Sequence, residues 1–406
     1  MNPFNISLNH SELSRHRMII YIEVIILTFL LVSLFFISPG GGFSFPVVNQ
    51  DGKASSSEAK KYIKWVDFKV TAKAMQEAFR YDVNTCQSEP HLNWVDLLAY
   101  LGAKYGGEFS RYSTKDLDAL AEQLLSGKTM AELTEKMKYY PYYREAYGAV
   151  LDGLVGSYEI QIPSENAPLY ATPALLPDGS VDPDKVWVKK YGLKGYSPIA
   201  KGFPYNDFDD FGVARSYGYK RQHLGHDMMG QVGTPIIAVE SGYVEAIGWN
   251  QYGGWRLGIR SFDGKRYYYY AHLRKNYPYH KSLKQGSIVT AGDVIGYLGR
   301  TGYSRTENTN NINQSHLHFG LQLIFDESQK EGNNEIWISC YELTKFLSMN
   351  RSETLKNQET KEYDRIYDMR DFGIPENFVP PKPVPEETEA AIVNTTGLGQ
   401  HYKFNH

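Results

Sequence analysis

Three short histidine signals stand out in the 406-residue chain: His223-Leu-Gly-His-Asp227, Tyr270-Ala-His272-Leu273 and His316-Leu-His318-Phe319. Six of the eleven histidines fall between positions 223 and 318. Imidazole nitrogen and carboxylate oxygen are donors that zinc takes in a tetrahedral catalytic site, where the protein supplies three ligands and water the fourth. These residue types point to metal-assisted hydrolysis. The only cysteines, Cys86 and Cys340, lie far apart, so neither a thiolate cluster nor a disulfide framework is available. Two free thiols or one long-range bridge are the remaining readings.

The elements around these residues must bring them together. Residues two apart in a strand share a face, so His316 and His318 project to one side. His223 and Asp227 have helical spacing, but Gly225, Gly230 and Gly233 argue for a turning strand end, and a loop-borne pair is expected. Runs at 235–239, 243–247, 257–261, 266–271, 294–298 and 316–323 read as strands separated by glycine turns, with Asp263-Gly264 as a hairpin signal. In the run Tyr267 to Tyr270, alternate rings should pack inward and line a cleft. A mainly antiparallel β-region follows.

Taken in order, the three motifs and the glycines between them resemble the lysostaphin/LytM-type zinc metallopeptidases. The supporting segments are Gly233-Thr-Pro235-Ile-Ile-Ala238, Ser241-Gly242-Tyr-Val244, Val289-Thr-Ala-Gly292-Asp-Val-Ile295-Gly296 and Gly299-Arg-Thr-Gly302-Tyr-Ser304. The resemblance covers about residues 210–325 and implies a duplicated hybrid motif β-fold holding one Zn2+ per chain. It implies His223, Asp227 and His318 as metal ligands. His316 and His272 become catalytic, with His316 favoured as general base and His272 stabilising the oxyanion or protonating the leaving amine. The implied substrates are peptidoglycan peptides, cut at cross-links or stem peptides. His226 has no counterpart among the ligands and is expected to face solvent or to support the ligands from outside. The polar segment 305–314 replaces a short glycine-rich turn beside the cleft, which bears on substrate preference. A rival reading is a catalytically silent module that binds peptidoglycan or a partner protein in a cell-envelope or sporulation complex. Such members lose a ligand or histidine, whereas all five positions are present here. A structural zinc site would want a fourth ligand, for which His226 is the nearby candidate.

The whole chain reads as a multidomain α+β protein. A net charge of −3 gives no reason to expect nucleic acid. Residues 18–38 form an apolar run behind Arg15 and Arg17, long enough to cross the hydrocarbon. They are expected to be a signal anchor, with 1–17 cytoplasmic, 39–60 a stalk, and the catalytic part on the extracytoplasmic side of the cell membrane. Residues 61–160 read as a small all-α domain with starts at Asn93, Ser113 and Thr129. Its stretch 92–107 faintly resembles the catalytic-helix region of lysozyme-like transglycosylases. Lys104-Tyr105 stands where those carry an acid, leaving Glu108 as the one candidate for glycosidic chemistry, so a degenerate binding or spacing domain is expected. Residues 161–209 read as a connector whose acidic run 206–210 lacks the ligand spacing of a calcium loop and is expected to be solvated. A strand and helix occupy 326–350, and a charged, Pro/Glu-rich tail occupies 351–406. A protein activator remains open.

Overall fold

Asn93 opens the best-marked helix, its side chain accepting hydrogen bonds from the backbone N–H groups of Val95 and Asp96. The computed structural model describes residues 62–216, 220–330 and 334–381. The expected signal anchor, stalk and far tail lie outside these residues. Among the described residues no helix is long and apolar enough to cross a membrane.

Five helices come first: α1 Ala72–Thr85, α2 Trp94–Tyr105, α3 Thr114–Leu125, α4 Met130–Thr134 and α5 Tyr140–Leu151. Trp94, Val95, Leu97, Leu98 and Leu101 of α2 are all buried, and Gly106 ends the helix at φ 64°. Thr129 and Glu132 form the expected reciprocal cap of α4. Ser113 does precede α3, but its side chain makes no capping bond. Asp116, the residue that would complete its box, is instead engaged by Lys104 and by the Tyr105 hydroxyl, both at 2.7 Å. Glu108 is exposed and ion-paired with Lys69 at 2.8 Å, which lowers its pKa. A glycosidic general acid needs the opposite shift.

The strands β1 Val155–Pro163, β2 Thr172–Leu175 and β3 Val181–Leu193 follow, then the short β4 Ala214–Ser216, β5 Lys220–Gln222, β6 His226–Met229 and β7 Pro235–Ile237. The longer β8 Gly242–Asn250, β9 Gly254–Ser261 and β10 Arg266–Ala271 come next, followed by β11 Ile288–Val289, β12 Val294–Tyr297, β13 His316–Leu323 and β14 Ile336–Ile338. Helix α6 Tyr341–Leu347 and the strands β15 Thr354–Lys356, β16 Tyr363–Arg365 and β17 Met369–Asp371 end the described chain. The central sheet is antiparallel in the order β11-β8-β9-β10-β13-β14, with β6 also paired to β13. Tyr268 and Tyr270 of β10 are fully buried, while the ring of Tyr269 stands edge-on to His318 at 6.0 Å. The alternation in that tyrosine run therefore does divide core from cleft.

The stretch 161–209, read as a connector, holds β2, β3 and the end of β1, in a sheet of order β17-β1-β3-β2. Pro163, Pro173 and Pro183 interrupt the pattern, and the outward residues are polar, so no period shows in the sequence. The beginning of the charged tail is likewise structured, since β17 pairs with β1 and Arg365 donates to Ala291 O at 2.9 Å. Edge strands rich in charge look solvated in composition because one face of each is.

Helices and central sheet share one continuous apolar core. Trp94 of α2 stacks on Phe346 of α6 at 5.4 Å, and Glu342 of α6 accepts from the Ala72 N–H at 2.7 Å. Arg266, almost wholly buried, donates to Glu240 at 2.7 and 3.0 Å, to Asp263 at 2.9 Å and to the carbonyl of Ala149 at the end of α5 at 2.9 Å.

Candidate metal centre

The register of β13 makes the site. His318 lies opposite Asp227 of β6 on one side and Ala271 of β10 on the other. Directly opposed residues of an antiparallel pair project to the same face, so His318 and Asp227 meet there. Their atoms Nδ1 and Oδ1 are 2.8 Å apart. His223 completes the group from the loop after β5, with Nε2 3.0 Å from both Asp227 Oδ1 and His318 Nδ1. The expectation of a loop-borne pair is corrected for Asp227, which sits within a strand because Gly225 lets the turn finish before it. A Cβ at Gly225 would stand 2.4 Å from His318 Cε1, so this close approach requires glycine.

The tautomer of His223 tests whether these donors suit a cation. Nδ1 faces two acceptors, the Asp210 carbonyl at 3.3 Å and Asp210 Oδ1 at 3.0 Å, and so carries the proton. Nε2 is then a bare lone pair directed at a carboxylate oxygen and a second imidazole nitrogen. Donors bound to one zinc at about 2.0–2.1 Å stand roughly 3.3 Å apart, close to the spacing here. Among the described residues this is the one group of three or more potential ligands of this kind. His223 and Asp227 are each 2% exposed, which makes an uncompensated carboxylate costly and a bound cation favourable. The triad fits Zn2+.

His316 and His272 flank the triad. His316 donates Nδ1–H to Gln314 O at 2.8 Å, leaving Nε2 as a lone pair 3.7 Å from Asp227 Oδ2. His272, just beyond β10, donates Nδ1–H to Thr301 O at 3.0 Å, and its ring centroid is 4.8 Å from that of His316. Burial first, then the neighbouring His316 and His318, push the His272 pKa well below the ordinary imidazole value. It is therefore neutral at pH 7. His272 also adopts φ 63°, as do Asn276 at 68°, Tyr303 at 48° and Asn308 at 58° around the same cleft. Positive φ is unfavourable for such side chains and collects where geometry is imposed. The 305–314 segment is tied down, with Asn308 Oδ1 accepting from Trp255 Nε1 and from the Asn276 N–H, both at 2.8 Å.

His226 lies outside the donor triad, and it does not face solvent. It is 2% exposed, hydrogen-bonded to Asp207 at 2.9 Å and packed on the Tyr341 ring. Burial lowers its pKa. The acidic run 206–210 is likewise corrected: Asp207 serves His226, and Asp210 serves His223 and Arg215. Sequence reasoning missed Asp210 and Arg215 as site residues. The signal was Asp210-Phe-Gly212, a turn that folds Ala214–Ser216 back along the approach to His223, with the Val213 carbonyl accepting from the His223 N–H at 3.0 Å. Cys86 and Cys340 are both free.

The model of Peptidase family M23 matches residues 221–331. Residues 221–331 are a Peptidase family M23 domain. The chain is 38% identical over 124 residues to the L-Ala--D-Glu endopeptidase of Bacillus subtilis (strain 168), covering 30% of this chain and 36% of that protein. It is also 38% identical over 98 residues to lysostaphin of Staphylococcus staphylolyticus, covering 24% of this chain and 18% of that protein. The chain thus spans about a third or less of these curated relatives' lengths. Among solved structures, the catalytic domain of lysostaphin from Staphylococcus simulans matches at 31% identity with a TM-score of 0.26, covering 32% of this chain and 84% of that one.

Proposed function

We propose that this chain is a zinc-dependent endopeptidase that hydrolyses peptide cross-links or stem peptides of peptidoglycan in cell-wall remodelling. Residues 18–38 anchor it in the cell membrane, and the M23 domain lies on the extracytoplasmic side. The observation that carries the reading is the convergence of His223 Nε2, Asp227 Oδ1 and His318 Nδ1, with two further imidazoles beside them, inside an M23 domain. The name of the first relative, an L-Ala--D-Glu endopeptidase, supports peptide hydrolysis. The peptidoglycan DD-endopeptidase ShyC of Vibrio cholerae, 33% identical over 102 residues (25% of this chain, 20% of that protein), supports peptidoglycan as the substrate class.

Bound zinc supplies Lewis-acid polarisation and brings the pKa of a water to near neutral. The chain's own groups handle the protons. His316 Nε2, kept bare by the bond from Nδ1 to Gln314, accepts the proton of the attacking water. His272 has the same tautomer, fixed by Thr301. Once protonated, its Nε2 can donate to the oxyanion or pass the proton to the leaving amine.

Incubating the protein with purified peptidoglycan should release matched new amino and carboxyl ends, whose identities name the bond. Zinc-loaded protein that generates no new ends from any peptidoglycan would replace this reading with the silent binding module. For topology, protease added to intact spheroplasts should digest everything beyond about residue 40 and leave a small protected fragment. A full-length chain that resists digestion would overturn the exported orientation.

A further inference from the structure

Four side chains at the site close into a ring. His223 Nδ1 lies 3.0 Å from Asp210 Oδ1 while its hydrogen bond goes to the Asp210 carbonyl at 3.3 Å, Asp210 Oδ2 accepts from Arg215 Nη2, and Arg215 Nη1 donates to Asp227 Oδ2 at 2.7 Å. Asp227 Oδ1, 3.0 Å from His223 Nε2, closes it. We propose that Asp210 and Arg215, which are not themselves in the donor triad, are positioning residues that set how tightly, and through which carboxylate oxygen, the triad holds its cation. This rests on the metallopeptidase reading above.

Each member has a distinct effect. Asp210 fixes the proton of His223 on Nδ1 through its backbone carbonyl, which leaves Nε2 free to ligate, and its carboxylate anchors Arg215. Arg215 occupies Oδ2 of Asp227, so Oδ1 is the oxygen presented to the imidazoles. A carboxylate limited to one oxygen leaves room in the shell for water, as a catalytic site requires. Charge supports the assignment, since two carboxylates and one guanidinium leave one net negative charge before a cation binds. The hairpin that carries Arg215 has strands of three residues each, and Ala214 and Gln222 in it are exposed. Arg215 pairs with both carboxylates, at a side-chain exposure of 20%. Its placement answers to the site.

The test measures zinc affinity on the full chain by competition with a chromophoric chelator, alongside melting of the metal-free protein. Arg215→Gln and Asp210→Asn should each raise the zinc Kd by about 10- to 100-fold, the usual effect of removing a partner of a metal ligand, with the metal-free melting temperature unchanged. Arg215→Lys, which keeps the charge but not the two-pronged contact, should recover part of the loss. In cobalt-substituted protein, Arg215→Gln should weaken the visible absorption as Asp227 begins to offer both oxygens. Zinc Kd values within two-fold of wild type for both variants would overturn the proposal. So would affinity losses matched by melting of the metal-free chain in all three variants. A wild-type chain that binds no zinc would instead remove the metallopeptidase reading itself.

Discussion

Asp227→Ala and His318→Ala should each lose zinc and peptide cleavage together. On the proposed reading the triad would supply the protein ligands, and removing one of three contacts from a site that must keep a position open leaves too little to retain the ion. Asp227 has the larger expected effect. Its Oδ1 lies against both imidazoles, at 2.8 and 3.0 Å, and its Oδ2 anchors Arg215 at 2.7 Å. Alanine there removes the only carboxylate of the triad and leaves Arg215 with Asp210 alone. Metal analysis of the purified variants decides the matter. Stoichiometric zinc in Asp227→Ala would show that the ion is held elsewhere.

His316→Ala and His272→Ala should fail in the opposite way, keeping stoichiometric zinc while turnover falls by about a hundred-fold or more, the scale of a general acid or base. Both rings are fixed by backbone carbonyls, and both present a bare Nε2 toward the cleft. The depressed pKa of His272 means that it receives its proton during the reaction, so its loss should show in turnover more than in substrate binding. His226→Ala is the control. It should keep zinc and turnover but lower stability by about 1–3 kcal/mol, since it removes a buried imidazole and leaves the half-buried Asp207 without its partner. Loss of zinc from His316→Ala, or turnover within ten-fold of wild type, would remove it from the proton-transfer role.

The site was largely legible because its logic is local. The spacing in His316-Leu-His318 implies one strand face, and the ordered motifs carry His223 and Asp227, which the structure places beside His318. Beyond the turn signal Asp210-Phe-Gly212, Arg215 and Asp210 were not legible, because Asp210 meets His223 and Arg215 meets Asp227 through a hairpin whose register no short motif encodes. His226 was read as facing solvent or supporting the ligands from outside, and its burial was not foreseen because nothing near it in sequence reveals Tyr341, which packs on it from a helix more than a hundred residues away. The same limit hid β2, β3 and β17, whose outward polar residues carry no visible period. The helices, by contrast, bury contiguous stripes behind a cap and could be read directly, apart from the cap of α3, where Lys104 and Tyr105 compete for Asp116.

The core shared by helices and sheet has a dynamic consequence. Trp94 and Phe346 stack across the junction, and Arg266 cannot lose Ala149 without leaving a buried guanidinium short of an acceptor. Opening the helical region therefore strips the sheet that carries His316 and His318. Amide protons in α2 and in β13 should exchange with solvent through the same rare global excursion. The hairpin bearing Arg215, with three residues in each strand, should open on its own far more often.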